Sequence, residues 1–507
     1  MEQVSELSPL MWAYSKDQYI PNREGQGPAL LPATPMESMG DRSFCKEFGL
    51  KFPYVGGAMA NGIANENLVS ALAKEGMLAF FGAAGLAIPR IAEAIIKLKS
   101  ELKGTAFGVN LIHAPSEPQW EWDLVELLIQ EDISVVEASA FMKLTKPLIY
   151  YRVKGIHRNE NGEIVTPNRV VAKASRLEIA EKFFSPPPEA MLRSLYEDGF
   201  ITAKEANLAQ EVPVAQFLTA EADSGGHTDN RPAITMFPIM KALKDRLENL
   251  YDFAQPLCLG LGGGISTPSS AASAFSMGAA YIMVGSAHQA CVESGTSTKV
   301  RQLLSKVSQA DMVMAPAADM FEMGVQVQVL KKGTMFPMRA RKLFDLYRQY
   351  DSIDEIPSHD IKILESQIFQ KSLGDVWEET KAFFNERDPE KLELCEDKPK
   401  MKMALIFRWY LGLSSKWANE GTEGREMDYQ VWCGSAMGAF NEWVKGSFLE
   451  EAENRSASVV ALNILLGAFA LQRTGILRAQ GLGTQQWERL AETPMKIEEI
   501  RKILREG

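Results

Sequence analysis

The chain has 507 residues, a net charge of −11, and 46% apolar and 23% charged residues. It is too long for one ordinary core, so we expect a large domain plus a second unit, with the composition of a soluble globular protein. The acidic balance argues weakly against nucleic acid as the main partner, although it does not exclude a local basic patch.

The five cysteines are widely spread and include no Cys-x-x-Cys pair. This odd, scattered set favours neither a disulfide framework nor a zinc site, and it fits a reducing compartment. The N-terminus lacks the basic and apolar regions of a signal peptide, and no apolar run reaches the roughly 20 residues that a membrane helix needs. We therefore expect a cytoplasmic protein.

Between Tyr54 and about Ser286, short apolar runs alternate with helical stretches, as in repeated β-α units around a parallel sheet. One stretch, Pro89–Leu102, repeats its apolar residues with the period of an α-helix. This α/β pattern suits a closed (β/α)8 TIM barrel better than an open doubly wound sheet, which is the alternative. The predicted strands are Tyr54–Met59, Met77–Phe81, Ala106–Ile112, Ile133–Ala138, Val170–Ala174, Val214–Glu221, Leu257–Gly260 and Ala280–Val284.

We assign residues 1–50 to a leader packed on the barrel, residues 51–315 to the barrel and residues 316–507 to a helical C-terminal appendage. Gly155–Asn168 is an insertion that contains an Asn-Gly turn and predicts a small hairpin. A helical insertion at about residues 183–211, before strand six, could cover the mouth of the barrel. In the appendage, the apolar stretch Leu462–Leu471 is too short to span a membrane.

Glycine-rich segments end the last two predicted strands, at Leu257–Ile265 and Tyr281–Ser286. Glycines let a backbone approach a phosphate closely, and the helix that starts after Ile265 would add free N–H groups. Because barrels often bind phosphate between the loops after strands seven and eight, these segments predict a phosphate-bearing ligand. Tight turn geometry alone is the alternative. The residues concerned are Gly262, Gly263, Gly264, Gly285 and Ser286.

A third segment, Glu221–Pro232, follows strand six and carries His227 behind Gly225 and Gly226. These glycines would let the backbone lie against a flat ring while His227 points into the pocket. A surface histidine with ordinary turn glycines is an equal alternative. Zinc is a poor ligand candidate, since no partner His or Cys lies at ligand spacing.

Polar residues near three other strand ends are further candidates, since polar groups inside apolar strands cost free energy unless they are paired. They are Asn110 with His113, Glu137, and Lys173. Asn110 could instead only hold a loop, and Lys173 could pair with Glu221 or Glu137. The chain has no P-loop and no dinucleotide fingerprint, so a nicotinamide cofactor would visit the barrel mouth rather than occupy its own Rossmann domain.

Together these segments resemble the FMN-dependent nitronate monooxygenase-like barrels, which include flavin enoyl reductases of fatty-acid synthesis. Within that family, the long insertion and the tail motifs Phe407–Ser415 and Asp428–Trp443 are similar to the trans-acting enoyl reductases of polyketide and polyunsaturated fatty-acid synthases. The resemblance runs from about residue 30 to about residue 480. The other matching stretches are Gly56–Asn61, Phe81–Gly85, Phe107–Asn110, Ser224–His227, Gly262–Gly264 and Val284–Gly285.

The resemblance implies roles for the matching residues. His227 matches the family's active-site histidine, and Lys173 and His113 are second choices for the acid. Unlike the simpler barrels, this chain carries Asp-Asn-Arg-Pro at 229–232, directly after Thr228. The implied cofactor-binding residues are Ala58, Met59, Ala60, Asn110, Lys173, Glu221, Ser224, Gly225, Gly226, Gly262, Gly263, Gly264, Gly285 and Ser286.

The implied activity is reduction of the α,β double bond of enoyl thioesters on an acyl carrier protein, with FMN as cofactor and NAD(P)H as co-substrate. The flavin would carry the hydride, while His227 would act as the acid or as the donor to the thioester oxygen. One alternative is a nitronate monooxygenase-type oxidase that needs no NAD(P)H. Another is a non-catalytic docking subunit of a synthase.

A basic cluster lies in the C-terminal region of this acidic chain. Because carrier proteins are generally acidic, the cluster could steer one to the enzyme, although a solvated helix face is the alternative. The apolar tail is also compatible with a homodimer. The cluster consists of Lys331, Lys332, Arg339, Arg341, Lys342 and Arg348.

Overall fold

The structure is a computed structural model that describes residues 18–21, 28–31, 34–115, 117–387, 389–479, 488 and 491–506. Packing divides the described chain into two compact units. The first unit contains the described residues up to Ser224, Thr228–Gly295, and the described residues from Ala436 onward. The second contains Gly225–His227 and Thr296–Ser435. This division differs from the predicted boundary at residue 315, because the end of the chain packs within the first unit.

Eight parallel strands close a barrel in the first unit, which confirms the TIM barrel and excludes the open sheet. They pair in chain order, and the last strand returns to the first, with Ile282 opposite Tyr54. A short antiparallel hairpin, β1 (Gln18–Pro21) and β2 (Pro28–Leu31), precedes them. The barrel strands are β3 (Tyr54–Gly56), β4 (Leu78–Phe81), β5 (Gly108–Ile112), β6 (Val135–Ser139), β9 (Arg169–Ala174), β10 (Phe217–Glu221), β12 (Cys258–Gly262) and β13 (Ile282–Val284).

Helices surround the barrel because their apolar stripes pack against its outer wall. In the helix over Ile88–Leu102, the predicted stripe of Ile91, Ala94, Ile95 and Leu98 is fully buried. The helices of this part of the chain are α1 (Arg42–Phe48), α2 (Glu66–Lys74), α3 (Ile88–Leu102), α4 (Pro118–Gln130), α5 (Lys146–Val153), α6 (Leu177–Phe183), α7 (Glu189–Glu197), α8 (Ala203–Leu208), α9 (Ala233–Tyr251), α10 (Pro268–Ser276) and α11 (Ser286–Gln289).

Helix α1, within the predicted leader, packs at the amino-terminal end of the barrel. Its Phe44 stacks on Tyr281 with ring centroids 4.2 Å apart and meets Phe217 edge-on at 5.7 Å. Both partners lie at the start of barrel strands, so this end of the barrel is filled by aromatic side chains. The polar chemistry is thereby left to the carboxyl end, as is usual for this fold.

Both predicted insertions exist. The first forms the hairpin of β7 (His157–Arg158) and β8 (Ile164–Val165), and the second forms α7 and α8. The expectation that the second insertion covers the barrel mouth is wrong. It follows a helix rather than a strand, and it packs on the outer flank, where Phe200 stacks on Trp122 of α4 with centroids 4.7 Å apart. Glu205 of α8 accepts a hydrogen bond from the Gly155 N–H at 2.6 Å.

The second unit combines a small sheet with helices. In the sheet, β15 (Gln326–Leu330) lies between β14 (Met312–Pro316) and β11 (Gly226–His227), and all pairs are antiparallel. The prediction of a helical region missed β14 and β15, since strands this short carry little periodic signal. The helices are α12 (Thr298–Leu304), α13 (Phe336–Gln349), α14 (Ser358–Ile363), α15 (Leu373–Arg387), α16 (Pro389–Asp397) and α17 (Pro399–Glu420), with a π-helical turn at Leu364–Phe369.

Three further helices return to the first unit: α18 (Ala436–Val444), α19 (Ala457–Ala479) and α20 (Ile497–Glu506). By length and composition α19 could cross a membrane, but 78% of its most apolar window is buried within the structure. It is longer than the apolar stretch predicted at Leu462–Leu471. Contact with α10 accounts for its composition, since a Cβ at Gly467 would lie 2.6 Å from the Pro268 ring.

A buried charge network holds the second unit together. Asp428, which is fully buried, accepts hydrogen bonds from Tyr410 at 2.8 Å, from Arg425 at 3.1 Å and from Arg339. The Arg425 guanidinium also stacks over Trp417, 4.2 Å from the ring centroid. Residues from α13, α17 and the segment after α17 thus depend on one carboxylate.

We expect Asp428→Ala to destabilise the second unit by about 3–5 kcal/mol, because it leaves two guanidinium groups without their buried counter-charge. Denaturant unfolding followed by tryptophan fluorescence would measure this change, since Trp417 lies beside the network. Glu426→Ala is the matched control, because Glu426 pairs with Lys299 in an exposed ion pair. Equal unfolding midpoints for the two variants would contradict the role given to Asp428.

Candidate functional site

Polar side chains from four adjacent strands, β5, β6, β9 and β10, meet inside the barrel of the first unit. The Asn110 side-chain amide donates to the Glu137 carbonyl at 3.1 Å and to the Ser139 hydroxyl at 2.7 Å. On the next two strands, Lys173 Nζ lies 2.8 Å from Glu221 Oε1. We call the side chains of Asn110, Glu137, Lys173 and Glu221 the polar layer. The backbone register places Asn110 opposite Glu137 but Lys173 opposite Thr219, so it is the side chains that bring these residues close.

Lys173 is a fixed positive charge in this layer. Burial lowers the pKa of its ammonium group, but the carboxylates of Glu221 and Glu137 more than compensate, and the net shift is upward. Lys173 therefore stays protonated at neutral pH and is a poor acid. Of the two roles predicted for it, the structure favours ligand binding over proton donation, and the pairing with Glu221 matches one of the alternatives.

Glu137 is fully buried and reaches the loop that follows β3. The Ala58 N–H donates to both of its carboxylate oxygens, at 3.2 and 3.3 Å. The same loop carries Met59 and Ala60, and it is closed by the Ala64 N–H on the Met59 carbonyl at 3.1 Å and the Ile63 N–H on the Ala60 carbonyl at 3.1 Å. Glu137 of β6 thus holds the loop that carries the predicted residues Ala58, Met59 and Ala60.

The glycines after β12 and β13 differ in what surrounds them. A Cβ at Gly264 or Gly285 would meet nothing within 4 Å, so the backbone there borders open space. A Cβ at Gly263 would instead lie 2.5 Å from the Ala222 carbonyl oxygen, and at Gly262 it would lie 3.0 Å from Thr219. Gly264 and Gly285, followed by Ser286 at the start of α11, are therefore the positions that a bulky ligand group can approach.

The predicted contribution of the helix after Ile265 is wrong in one respect. The N-terminus of α10 is already capped, since the Ser270 N–H donates to the Thr267 hydroxyl at 3.2 Å. The Ser266 and Thr267 N–H groups both donate to the Ser270 hydroxyl at 3.0 Å. These amides serve the capping box and are not free, whereas the phosphate role of the preceding glycines stays a prediction.

The loop after β10 is anchored by its unusual acidic residue. Asp229 accepts hydrogen bonds from the Ser175 hydroxyl at 2.5 Å and from Arg176 at 2.9 Å, both just after β9. The Arg176 hydrogen bond, together with that of Ser175, lowers the pKa of Asp229 to about 2 against the effect of burial.

In the same loop, the Ser224 hydroxyl is buried and has no hydrogen-bond partner among the described residues. A buried hydroxyl of this kind is available to a ligand.

Gly225, Gly226 and His227 belong to the second unit. A Cβ at Gly225 would lie 2.8 Å from the Cys433 backbone nitrogen, and Gly226 has a φ of +81°, so packing of this unit is sufficient to require glycine at both positions. The expectation that they lie against a flat ring therefore stays a prediction.

His227 Nε2 lies 3.2 Å from Asp319 Oδ1, and the His227 side chain is 36% exposed. Sequence reasoning missed Asp319, because it is remote in the chain and has no motif around it.

His113 is held in a packed environment. Its Nδ1 lies 3.4 Å from Glu121 of α4, its ring stacks on Phe141 with centroids 5.3 Å apart, and it is buried. Glu121 also accepts a hydrogen bond from Thr145. These contacts favour a structural role over the catalytic one for which the sequence made it a second choice.

The basic cluster of the second unit is partly neutralised. Arg339 is bound to the buried Asp428, Lys342 Nζ lies 2.5 Å from Asp360, and Lys332 lies 3.5 Å from Asp311. The cluster is therefore smaller than predicted, because neighbouring carboxylates are brought to it by the fold. Its remaining exposed members, which form no ion pair within the described part of the chain, are Lys331, Arg341 and Arg348.

Two family models match the chain. Residues 42–341 match the nitronate monooxygenase family, and residues 350–429 match the inserted helical domain of acyl-carrier-protein S-malonyltransferase. The first match covers more than half of the chain and includes all eight barrel strands.

Curated relatives come from biosynthetic synthases. The chain is 47% identical over 461 residues to a polyunsaturated fatty acid synthase subunit of Thraustochytrium sp., covering 90% of this chain and 31% of that protein. It is 41% identical over 462 residues to the polyketide biosynthesis protein PksE of Bacillus subtilis, covering 91% of this chain and 60% of that protein. The chain thus spans less than two thirds of the length of each of these relatives.

Solved structures show the same fold. The chain is similar to the enoyl reductase domain of MlnA from the macrolactin biosynthesis cluster of Bacillus amyloliquefaciens, with 38% identity, a TM-score of 0.82, and coverage of 88% of this chain and 99% of that one. FabK of Thermotoga maritima, with 17% identity, a TM-score of 0.51, and coverage of 87% of this chain and 98% of that one, is alike in fold alone. As its sequence motifs predicted, this chain belongs to the nitronate monooxygenase family.

Proposed function

We propose that this chain is a trans-acting enoyl reductase that uses FMN and NAD(P)H to reduce enoyl thioesters on an acyl carrier protein, in polyketide or polyunsaturated fatty-acid biosynthesis. The observation that carries the proposal is its similarity to the MlnA enoyl reductase domain, 99% of which it covers at 38% identity. The curated relatives, one from a polyunsaturated fatty acid synthase and one a polyketide biosynthesis protein, support the same class of pathway.

The first unit has the features that an FMN site needs. Gly264 and Gly285 border open space at the ends of β12 and β13, where they and Ser286 would hold the phosphate. The buried Ser224 hydroxyl, which lacks a partner in the described chain, would bond the cofactor. Asn110 of β5 and Lys173 of β9 supply an amide and a positive charge on either side of β6, and the loop of Ala58, Met59 and Ala60 supplies backbone. The residues present therefore fit the group.

Bound FMN would supply the hydride chemistry, from NAD(P)H to the β carbon of the enoyl thioester. The protein must place the thioester and provide a proton for its α carbon. His227 is the candidate for that proton, because the Asp319 carboxylate 3.2 Å from Nε2 stabilises the protonated imidazole. Lys173, held charged by Glu221, would favour negative charge that develops near it.

The second unit is the candidate for contact with the carrier protein. Its residues 350–429 match the inserted helical domain of an enzyme that itself acts on acyl carrier protein. Elsewhere in the same unit, Lys331, Arg341 and Arg348 are exposed and could attract an acidic partner. This docking surface is narrower than the one inferred from the sequence, since Arg339 is engaged by Asp428.

Purified protein should bind FMN, turn yellow, and oxidise NADPH or NADH only when a crotonyl-loaded acyl carrier protein is present. Consumption of a nitroalkane and oxygen without a nicotinamide would instead support the oxidase alternative, which the family match keeps open. Protein that stays colourless on addition of FMN would support a docking role without catalysis. Anaerobic bleaching of the flavin by NADPH, followed by its reoxidation with the enoyl thioester, would separate the two half-reactions.

His227→Ala should lower reduction of the enoyl thioester by about 10²- to 10⁴-fold, the usual contribution of a general acid, and leave FMN bound. Asp319→Asn should also lower the rate of enoyl thioester reduction, since this substitution removes the charge that stabilises the imidazolium. His157→Ala is the control, because His157 is exposed in the β7–β8 hairpin. A turnover of His227→Ala equal to that of His157→Ala would show that the assignment is wrong.

Gly285→Val should weaken FMN binding by roughly tenfold or more, about 1.4 kcal/mol, with little effect on the FMN-free protein. The φ of Gly285 is −121° and a Cβ there meets nothing within 4 Å, so the side chain fills only the proposed phosphate space. Gly263→Ala is the contrasting variant. Its left-handed φ of +81° and the Ala222 carbonyl 2.5 Å away should make it unfold earlier. Flavin fluorescence titration and thermal unfolding would measure both, and undiminished FMN affinity in Gly285→Val would place the phosphate elsewhere.

A further inference from the structure

The carboxyl group of Glu137 occupies the centre of the polar layer, yet the proposed chemistry does not use it. It is fully buried in the middle of β6 and contacts two neighbouring segments that carry predicted flavin residues. The Ala58 N–H donates to both carboxylate oxygens, at 3.2 and 3.3 Å, and the Asn110 amide nitrogen lies 3.5 Å from one of them. Glu137 therefore joins this loop to β5 and β6, in addition to backbone bonds such as that from the Gly57 N–H to the Val284 carbonyl at 3.0 Å.

Close packing limits how far this carboxyl can move. A Cβ at Gly57 would lie 3.6 Å from Glu137 Oε1 and 3.1 Å from Met283, so glycine lets the loop lie directly on the acid. Asn110 is held as well by the Ser139 hydroxyl at 2.7 Å, which fixes the amide that faces Glu137. When a carboxyl group is hydrogen-bonded to backbone and amide groups on several sides, a change in its protonation also changes the strength of those hydrogen bonds.

The charged and titratable groups around Glu137 come from three other elements. Lys173 of β9 attracts its negative charge, and Glu221 of β10 repels it. Tyr281, directly before β13, also interacts with it but is bonded to Thr219, with the two hydroxyl oxygens 2.9 Å apart. Because Lys173 is already paired with Glu221 at 2.8 Å, a charged Glu137 leaves the layer with one net negative charge, whereas a neutral Glu137 leaves it balanced.

We propose that Glu137 is a positioning residue that clamps the Ala58 loop and Asn110 and whose charge opposes the gain of electrons by the flavin. The inference rests on the proposed function, since it requires FMN on these residues. Glu137 does not touch the substrate in this scheme. It acts through the Ala58 N–H, through Asn110 and through the electric field that it adds to the layer.

The charge of Glu137 should change near neutral pH. Burial raises the pKa of its carboxyl group from 4.5 to about 7, although Lys173 and the Ala58 N–H oppose the shift. A raised carboxyl pKa stabilises the folded protein most at low pH, and this stabilisation is lost as the pH rises through about 7. Over the same interval the negative charge would appear in the polar layer that is proposed to contact the flavin, so the reduction potential of bound FMN should fall more steeply with pH than in a protein without this acid.

The test is the midpoint potential of FMN bound to the full chain, titrated across pH in the wild type and in Glu137→Gln. Glutamine has the shape of the protonated acid, so the two proteins should agree well below pH 7 and separate above it, with the wild-type potential lower. Glu137→Asp keeps a carboxyl group and should retain a pH-dependent separation from Glu137→Gln. Glu205→Gln is the control, since Glu205 is also buried in the first unit but lies in the flanking insertion.

The outcomes distinguish this inference from the proposed function. If the wild type binds FMN and Glu137→Gln follows its potential at every pH, the inference is overturned and the proposed function stands. If the wild type binds no FMN, the proposed function fails and the inference fails with it. Unfolding of the FMN-free proteins against pH gives a second readout: wild-type stability should decline as the pH approaches 7, and Glu137→Gln should lack that component. If the stability of Glu137→Gln depended on pH in the same way as that of the wild type, the inference about Glu137 would also be overturned.

Discussion

Pairing of β13 with β3 closes the barrel, and the site in the first unit depends on that closure. Ile282 lies opposite Tyr54, and the Gly57 N–H donates to the Val284 carbonyl at 3.0 Å just beyond the paired residues. Without this seam, the glycine at the end of β13 and the loop after β3 would lie at opposite edges of an open sheet. With it, the first and last βα loops become neighbours, and all eight carboxyl ends surround one space.

Closure also decides where polar groups can be buried. The amino-terminal end is filled by Phe44, Phe217 and Tyr281, whereas the carboxyl end contains Glu137, Lys173 and Glu221. Removing three ionisable groups wholly or partly from water costs free energy, and it is tolerable here because Lys173 and Glu221 neutralise each other while the fully buried Glu137 can take up a proton. The layer is thus close to neutral at moderate pH. A small change in protonation is therefore enough to alter the charge of the site.

The glycines illustrate how one residue type serves different physical needs. Gly264 and Gly285 border open space, so the absence of a side chain there serves a ligand. Gly263 and Gly225 are instead in close contact with the backbones of Ala222 and Cys433, so glycine there serves packing. All four look alike in the sequence. Their surroundings differ, and only Gly264 and Gly285 have the free space that the predicted phosphate would need.

Local pattern determined much of this protein. The alternation of apolar runs and helical stretches was sufficient for the barrel, its eight strands and both insertions, since strand and helix periods are encoded within a few residues of chain. The motifs around Gly262–Gly264 and Ser224–His227 were sufficient for the family. Tertiary structure decided the rest, because it concerns residues that are remote in the chain: Asp319 beside His227, Glu137 beneath Ala58, Asp428 beside Arg339, and the return of α19 to the first unit. Contacts of this kind arise from closure and packing, which no local pattern of residues specifies.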